Sequence, residues 1–140
     1  MSVEAFLDTN IWVYSVDTSA PAKQRTAQQL IGSVHPVTSA QVLGEFYVTV
    51  TRKLPHPLQP EEALTRVREM APDRVVSLDA ALVAAAMATA TRYQLSYWDS
   101  LIIEAAVRAG CSQLYSEDLS DGAEYHGVTV RNPFADQGTR

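Results

Sequence analysis

A single cysteine, Cys111, stands in the 140-residue chain, so neither an internal disulfide nor a cysteine-rich zinc site can form. The three histidines, His35, His56 and His126, are scattered and show no metal-ligand spacing. Charged residues make up only 19% of the chain, below the roughly 25% of an average soluble protein. With so little charge to spare, acids that fall together in space need a reason. A long apolar run is also missing. The longest uncharged apolar stretch, residues 80–91, would span roughly 18 Å as a helix, against roughly 30 Å for the core of a bilayer. Glu4 and Asp8 stand where a signal peptide would carry Lys or Arg, which points to a cytoplasmic protein with no membrane partner. There is no Gly-x-Ser-x-Gly elbow, no Gly-x-Gly-x-x-Gly turn and no phosphate-binding P-loop. These absences remove the common serine-hydrolase, dinucleotide and nucleotide-triphosphate chemistries.

What remains is a chain of one domain's length, 1–140, with 46% apolar residues, enough to bury a core. The net charge is −5, a sign that argues against a nucleic-acid partner at first sight. The charge is uneven, however. Residues 46–98 carry a local basic excess, and Arg52, Lys53, Arg66 and Arg68 are candidates for a basic rim, set against the plainer reading of solvated helix faces. Cys111, just past a helix stop, reads as a small buried apolar group. The aromatic side chains read as core or interface.

Short strands alternate with helices. Residues 3–7 read as a strand that ends at Asp8-Thr9-Asn10. A helix is expected from Pro21 to Gly32, then an extended segment at 35–38, then a helix capped by Thr38 or Ser39 and running to Arg52. In that helix Val42, Phe46 and Val50 share one face. Leu54-Pro55-His56-Pro57 breaks it, and Pro60-Glu61-Glu62 opens another. A strand at 74–78, helices at 79–93 and from Ser96 to Gly110, and strands at 113–116 and 128–130 complete the pattern. Such alternation requires crossover connections, hence a three-layer α/β/α domain with a central, mainly parallel sheet.

Ligands of open parallel sheets bind beyond the carboxyl ends of the strands, and this rule sorts the acids. Asp8 directly follows the first strand, and Asp118 follows the strand at 113–116. Asp99 opens a helix that can face the same edge, and Glu45 lies inside the helix after the second strand, among Val42, Leu43, Gly44 and Phe46. Close carboxylates repel, and burial drives one or more to take up a proton. A hard divalent ion reverses that penalty, can lower the pKa of a bound water and stabilises charge on a phosphoryl oxygen. Without these four acids the net charge of −5 becomes −1, so an acidic chain is compatible with a polyanionic substrate. Each acid has a plainer role as well. Asp8 can be a helix cap, Asp99 completes a capping-box pattern with Ser96, and Asp118 and Asp121 precede Gly122 as turn acids. Glu45 has no such role. Thr9 and Asn10 can orient Asp8 or a metal-bound water, or simply bond the local backbone.

Phe6-Leu7-Asp8-Thr9-Asn10, the helical Glu45, residues 95–103 (Leu-Ser-Tyr-Trp-Asp-Ser-Leu-Ile-Ile) and Ser116-Glu117-Asp118-Leu119 together resemble the PIN-domain family. They are most similar to the VapC-like toxin ribonucleases of VapBC-type toxin–antitoxin pairs. The resemblance implies an α/β/α fold and a Mg²⁺- or Mn²⁺-dependent endoribonuclease whose acidic quartet falls on Asp8, Glu45, Asp99 and Asp118, with Asp121 a further acid. It also implies RNA as substrate, products with a 5′-phosphate and a 3′-hydroxyl, a homodimer, and a cognate antitoxin that occludes the site with a tail carrying a basic residue. Glu104 and Glu117 receive no role and read as helix-surface and loop acids. Two alternatives stand beside this reading: a Mg²⁺-dependent phosphatase with Asp8 as nucleophile, and a non-catalytic regulatory binding module. The phosphatase would want an acid at position 10, where the chain has Asn10.

Overall fold

The computed structural model describes residues 3–71 and 74–137. In chain order the elements are β1 (Glu4–Leu7), α1 (Thr9–Val16), α2 (Pro21–Ser33), β2 (His35–Ser39), α3 (Ala40–Arg52) and α4 (Pro60–Met70). They are followed by β3 (Val75–Val76), α5 (Ala80–Tyr93), α6 (Tyr97–Arg108), β4 (Gln113–Tyr115), β5 (Glu124–Tyr125), β6 (Val128–Arg131) and a single 3₁₀ turn, Ala135–Gln137. The six strands form a sheet in the order β3-β2-β1-β4-β6-β5. Every pairing is parallel except β5 with β6.

Strand β1 runs down the middle, bonded to β2 on one side and β4 on the other. The chain winds outward from β1 through β2 to β3, then returns across the sheet to β4. Right-handed crossovers in opposite directions put their helices on opposite faces, so α1–α4 cover one face and the α5–α6 pair the other. The expected three-layer architecture is the observed one. Its middle layer is apolar on both sides, as a covered parallel sheet requires: Phe6, Leu7, Val37, Leu114 and Val130 are all fully buried. Val42, Phe46 and Val50 bury the face of α3 that their spacing marked. Helix α6 is enclosed more completely, burying Ser100 to Ile103, Ala105 and Ala106. Among the described residues no helix is long and apolar enough to cross a membrane.

Three local differences have physical causes. The strand expected at 74–78 shrinks to Val75–Val76, because it is the sheet's outer strand beside β2 and pairs with only the last residues of that strand. Residues 9–16 form a helix of their own, started by Asp8 as its cap. The short antiparallel β5 was not foreseen, since its turn, His126-Gly127, lacks the usual Asn-Gly signature. Both turn residues nevertheless sit at positive φ, 52° and 87°. Cys111 is buried as expected.

Candidate active site

Adjacent β1 and β4 register Leu7 opposite Tyr115, and the Asp8 N–H continues the ladder with a 2.9 Å bond to the Tyr115 carbonyl. Both chains leave the sheet here, where the winding reverses direction, the usual ligand position in such sheets. Asp8 is only 5% exposed. Its Oδ1 accepts from the Thr9 N–H at 2.7 Å, which caps α1, and its Oδ2 accepts from the Ser116 hydroxyl at 2.8 Å. Asp8 therefore caps α1 with one oxygen and holds Ser116 with the other. Ser116, fully buried, also accepts the Asp118 N–H at 3.1 Å, and so ties the two acids to one hydroxyl. Asn10 completes the brace: its amide donates to Asp118 Oδ2 at 3.3 Å, and its carbonyl accepts the Glu117 N–H at 3.2 Å. Asp118 itself is exposed.

Glu45 reaches the same edge from α3. Its Oε1 accepts from the Thr9 hydroxyl at 2.6 Å and its Oε2 from the Gln41 amide at 3.1 Å. The Gln41 amide also lies 3.4 Å from the Trp98 carbonyl, joining the start of α6 to α3. Asp99 sits in the first turn of α6, half-buried. The Ser96 hydroxyl caps its N–H at 3.0 Å.

Burial is the main reason the Asp8 carboxyl is pushed up to about 7, and the charges of Asp118 and Glu45 add to it against the Ser116 and Thr9 bonds. Burial also raises Asp99, partly offset by Ser96 and reinforced by Asp118 and Glu45. Asp8 and Asp99 thus both feel the charges of Asp118 and Glu45. Among the described residues none of them pairs with a Lys, Arg or His. Nor do any three acid, cysteine or histidine side chains of the described residues converge tightly enough to hold an ion as they stand. The hydrogen bonds explain the spread. Three of the four have turned to a neutral donor: Asp8 to Ser116, Glu45 to Thr9 and Gln41, Asp118 to Asn10. The donor set is nonetheless all oxygen, its mutual repulsion has no cation against it, and one member resists ionisation. Those are the properties a hard dication compensates.

Other expected and unexpected residues separate clearly. Asp121 accepts the Asn132 N–H at 2.9 Å and pins the β4–β5 loop to the end of β6, a turn acid's role. Glu117 is more than a loop acid. It forms an ion pair with Lys23, whose side chain is 6% exposed, and accepts from the Tyr14 hydroxyl at 2.8 Å. Glu104 is not a surface acid: only 11% of its side chain is exposed, Thr89 donates to it at 2.7 Å, and His126 lies 3.6 Å away. Sequence reasoning gave no role to Ser116, the shared hydroxyl, or to Gln41. Their only signals were positions: one residue past a strand end, and one helical turn before Glu45.

Two cavities lie on the α1–α4 side. An apolar one of about 420 Å³, lined by Trp12, Val16, Ile31, Phe46 and Met70, contains none of the four acids. A wider groove of about 820 Å³ is lined by two of them, Glu45 and Asp118, together with Thr9, Asn10, Lys53 and Leu54.

The sequence model of the PIN domain matches residues 5–120, from β1 through the loop after β4. The chain belongs to the PIN-domain family. The matched span holds Asp8, Glu45, Asp99 and Asp118 and stops short of Asp121. No curated protein matches the chain in sequence. Among solved structures, this PIN domain is similar to the toxin VapC20 of Mycobacterium tuberculosis, described as cleaving the sarcin-ricin loop. The TM-score is 0.65 with 23% identity, covering 81% of this chain and 89% of that one. A toxin–antitoxin complex from Klebsiella pneumoniae gives 0.67 with 19% identity, covering 92% and 97%. FitAcB from Neisseria gonorrhoeae gives 0.61 with 20% identity, covering 94% and 99%. At these identities the likeness concerns the fold.

Proposed function

We propose that this PIN domain is an endoribonuclease, the toxin of a toxin–antitoxin pair, which hydrolyses RNA phosphodiesters with Mg²⁺ or Mn²⁺ held at Asp8, Asp99, Asp118 and Glu45. The observation that carries the reading is the set of four carboxylates at one sheet edge, without a basic partner among the described residues, one of them buried and reluctant to ionise. The bound dication would supply charge against the scissile phosphate and acidify a water. Ser116 fixes Asp8 and Asp118 relative to each other, Asn10 holds the Asp118 carboxylate, and Thr9 and Gln41 aim Glu45. In this arrangement Glu45, reached only by neutral donors, is placed to ligate the ion or to take the proton of the attacking water.

The similarity to VapC20, described as cleaving the sarcin-ricin loop, supports the substrate class, and that to the Klebsiella pneumoniae toxin–antitoxin complex supports an antitoxin partner. An uncompensated acidic pocket would receive a basic side chain from such a partner. The phosphatase alternative has lost ground, since Asn10 spends its side chain bracing Asp118 and the Glu117 backbone.

The test is incubation of the purified protein with total RNA or with p-nitrophenyl phosphate, in Mg²⁺, in Mn²⁺ and in EDTA. Loss of RNA in either metal, halted by EDTA, is expected. Turnover of the phenyl ester without RNA loss would make it a phosphatase, and neither activity a binding module. Mapping 5′ ends of cellular RNA after brief expression would identify the target.

A further inference from the structure

We propose that the groove beside the carboxylates seats the RNA strand flanking the cut, with Gly44 as a bare patch of its wall and Lys53 taking a phosphate at its far end. This rests on the ribonuclease reading above. Gly44 lies inside α3 and is exposed. A Cβ built there would meet nothing within 4 Å, and the backbone is not left-handed. Neither crowding nor dihedral requires a glycine, and one at such a position leaves a helix less stable than alanine would. What the missing side chain leaves is open backbone surface directly before Glu45, on the wall of the 820 Å³ groove. An approach by a ligand too close for a methyl group accounts for it. One helical turn on, Val48 lines the same groove and is 46% exposed, an apolar surface for a sugar or base.

The occupant's charge is written at the two ends. Thr9, Asn10, Glu45 and Asp118 form one, and Lys53 is the only cation among the lining residues. Its side chain is exposed and has no partner among the described residues. The other acid of the groove, Asp17, is already engaged by the Ser19 N–H at 3.0 Å and hydroxyl at 2.6 Å. Lys53 lies eight residues beyond Glu45, about 12 Å along the helix axis. A cation at that remove suits a ligand with a repeating negative charge, one phosphate at the acids and their ion and another further along the strand. A single-phosphate substrate would leave Lys53 unused.

The experiment compares the parent protein with Gly44→Ala, Gly44→Leu, Lys53→Ala and Lys53→Arg. It measures melting temperature, binding of a mixed-sequence pool of ribo-oligonucleotides in EDTA across a salt series, and cleavage of that pool in Mg²⁺. Gly44→Ala should raise the melting temperature by about 2–4 °C and yet weaken RNA binding and raise KM, a pair of opposite signs that a purely structural glycine would not give. Gly44→Leu should weaken binding about tenfold. Lys53→Ala should weaken RNA binding and lower the slope of log affinity against log salt by about 0.7–0.9, with the slope restored in Lys53→Arg. Stabilised Gly44 variants that bind and cleave like a parent active on RNA would overturn the inference, as would an unchanged salt slope in Lys53→Ala. A parent that cleaves no RNA in either metal would instead overturn the ribonuclease reading on which it stands.

Discussion

Three consecutive residues after β4 enter two opposite electrostatic environments. Ser116 and Asp118 turn toward Asp8 and face other acids. Glu117, between them, turns toward α1 and α2 and meets Lys23, Tyr14 and, through the lysine, the Phe134 ring 5.6 Å away. The Glu117 acid is neutralised inside the fold, by a lysine almost wholly removed from water. The acids beside it meet no cation among the described residues. The alternation of a strand end sends neighbouring side chains to opposite sides, so one loop can hold a structural ion pair and an electrostatically strained pocket a residue apart. The lesson is that a local acid count says little, since what separates the two is whether a cation was built in.

Removing one charge on each side should therefore have opposite consequences. The largest effect is expected at Asp8. Its carboxyl titrates near 7 in the fold against 3.8 unfolded. The metal-free protein should thus be most stable below about pH 4 with respect to this group, and lose about 4 kcal/mol as pH rises to 7 and beyond. Asp8→Asn should abolish that slope and raise the melting temperature of the metal-free form at pH 8, while lowering RNA cleavage at least about 100-fold. Melting curves in EDTA from pH 4 to 8, with cleavage assays alongside, check both halves; wild-type cleavage by the variant would remove Asp8 from the site. Across the ion pair, Lys23→Met should do the reverse and cost about 3 kcal/mol, because a partly buried Glu117 is left uncompensated. Denaturant unfolding should show the loss, and adding Glu117→Leu should recover much of it.

A smaller effect separates Glu45 from both. Its hydrogen-bond partners, Thr9 and Gln41, are neutral, so Glu45→Gln should stabilise the metal-free protein by up to about 1 kcal/mol, not destabilise it as breaking a buried ion pair would. The stabilisation given by Mg²⁺ should shrink in the same variant. Thermal scans with EDTA and with Mg²⁺ decide between them. The smallest change is expected at Asp121, whose acceptor role an amide oxygen can keep. Asp121→Asn should leave stability within about 0.5 kcal/mol and cleavage unaltered, and a large loss of cleavage would return Asp121 to the acid cluster.

The order of elements, the parallel sheet and the positions of the acids at strand ends and helix starts were legible in the sequence. Those depend on local periodicity and on chain connection rules. Glu45 was legible by elimination, as a mid-helix acid without a cap or turn to serve. Glu104 and Glu117 were misread because their partners, Thr89 and His126 for one and Lys23 for the other, are distant in sequence. The pattern around Glu104 looks like any helix surface until β5 and β6 bring His126 against it. Asp121 looked like Asp118 because both lie in one turn-rich stretch, and only the pairing of the loop with Asn132 sets it apart.

By itself the sequence determined which acids stand where strands end, that no cysteine or histidine set competes with them, and that helices must cover a parallel sheet. Tertiary structure decided which carboxylates share an environment, since that depends on β1 and β4 becoming neighbours although more than a hundred residues separate Asp8 from Ser116. It also decided which acid receives a buried lysine and which are left to repel. Charge compensation is a property of distance and dielectric in three dimensions, and neither is written in the order of residues along the chain.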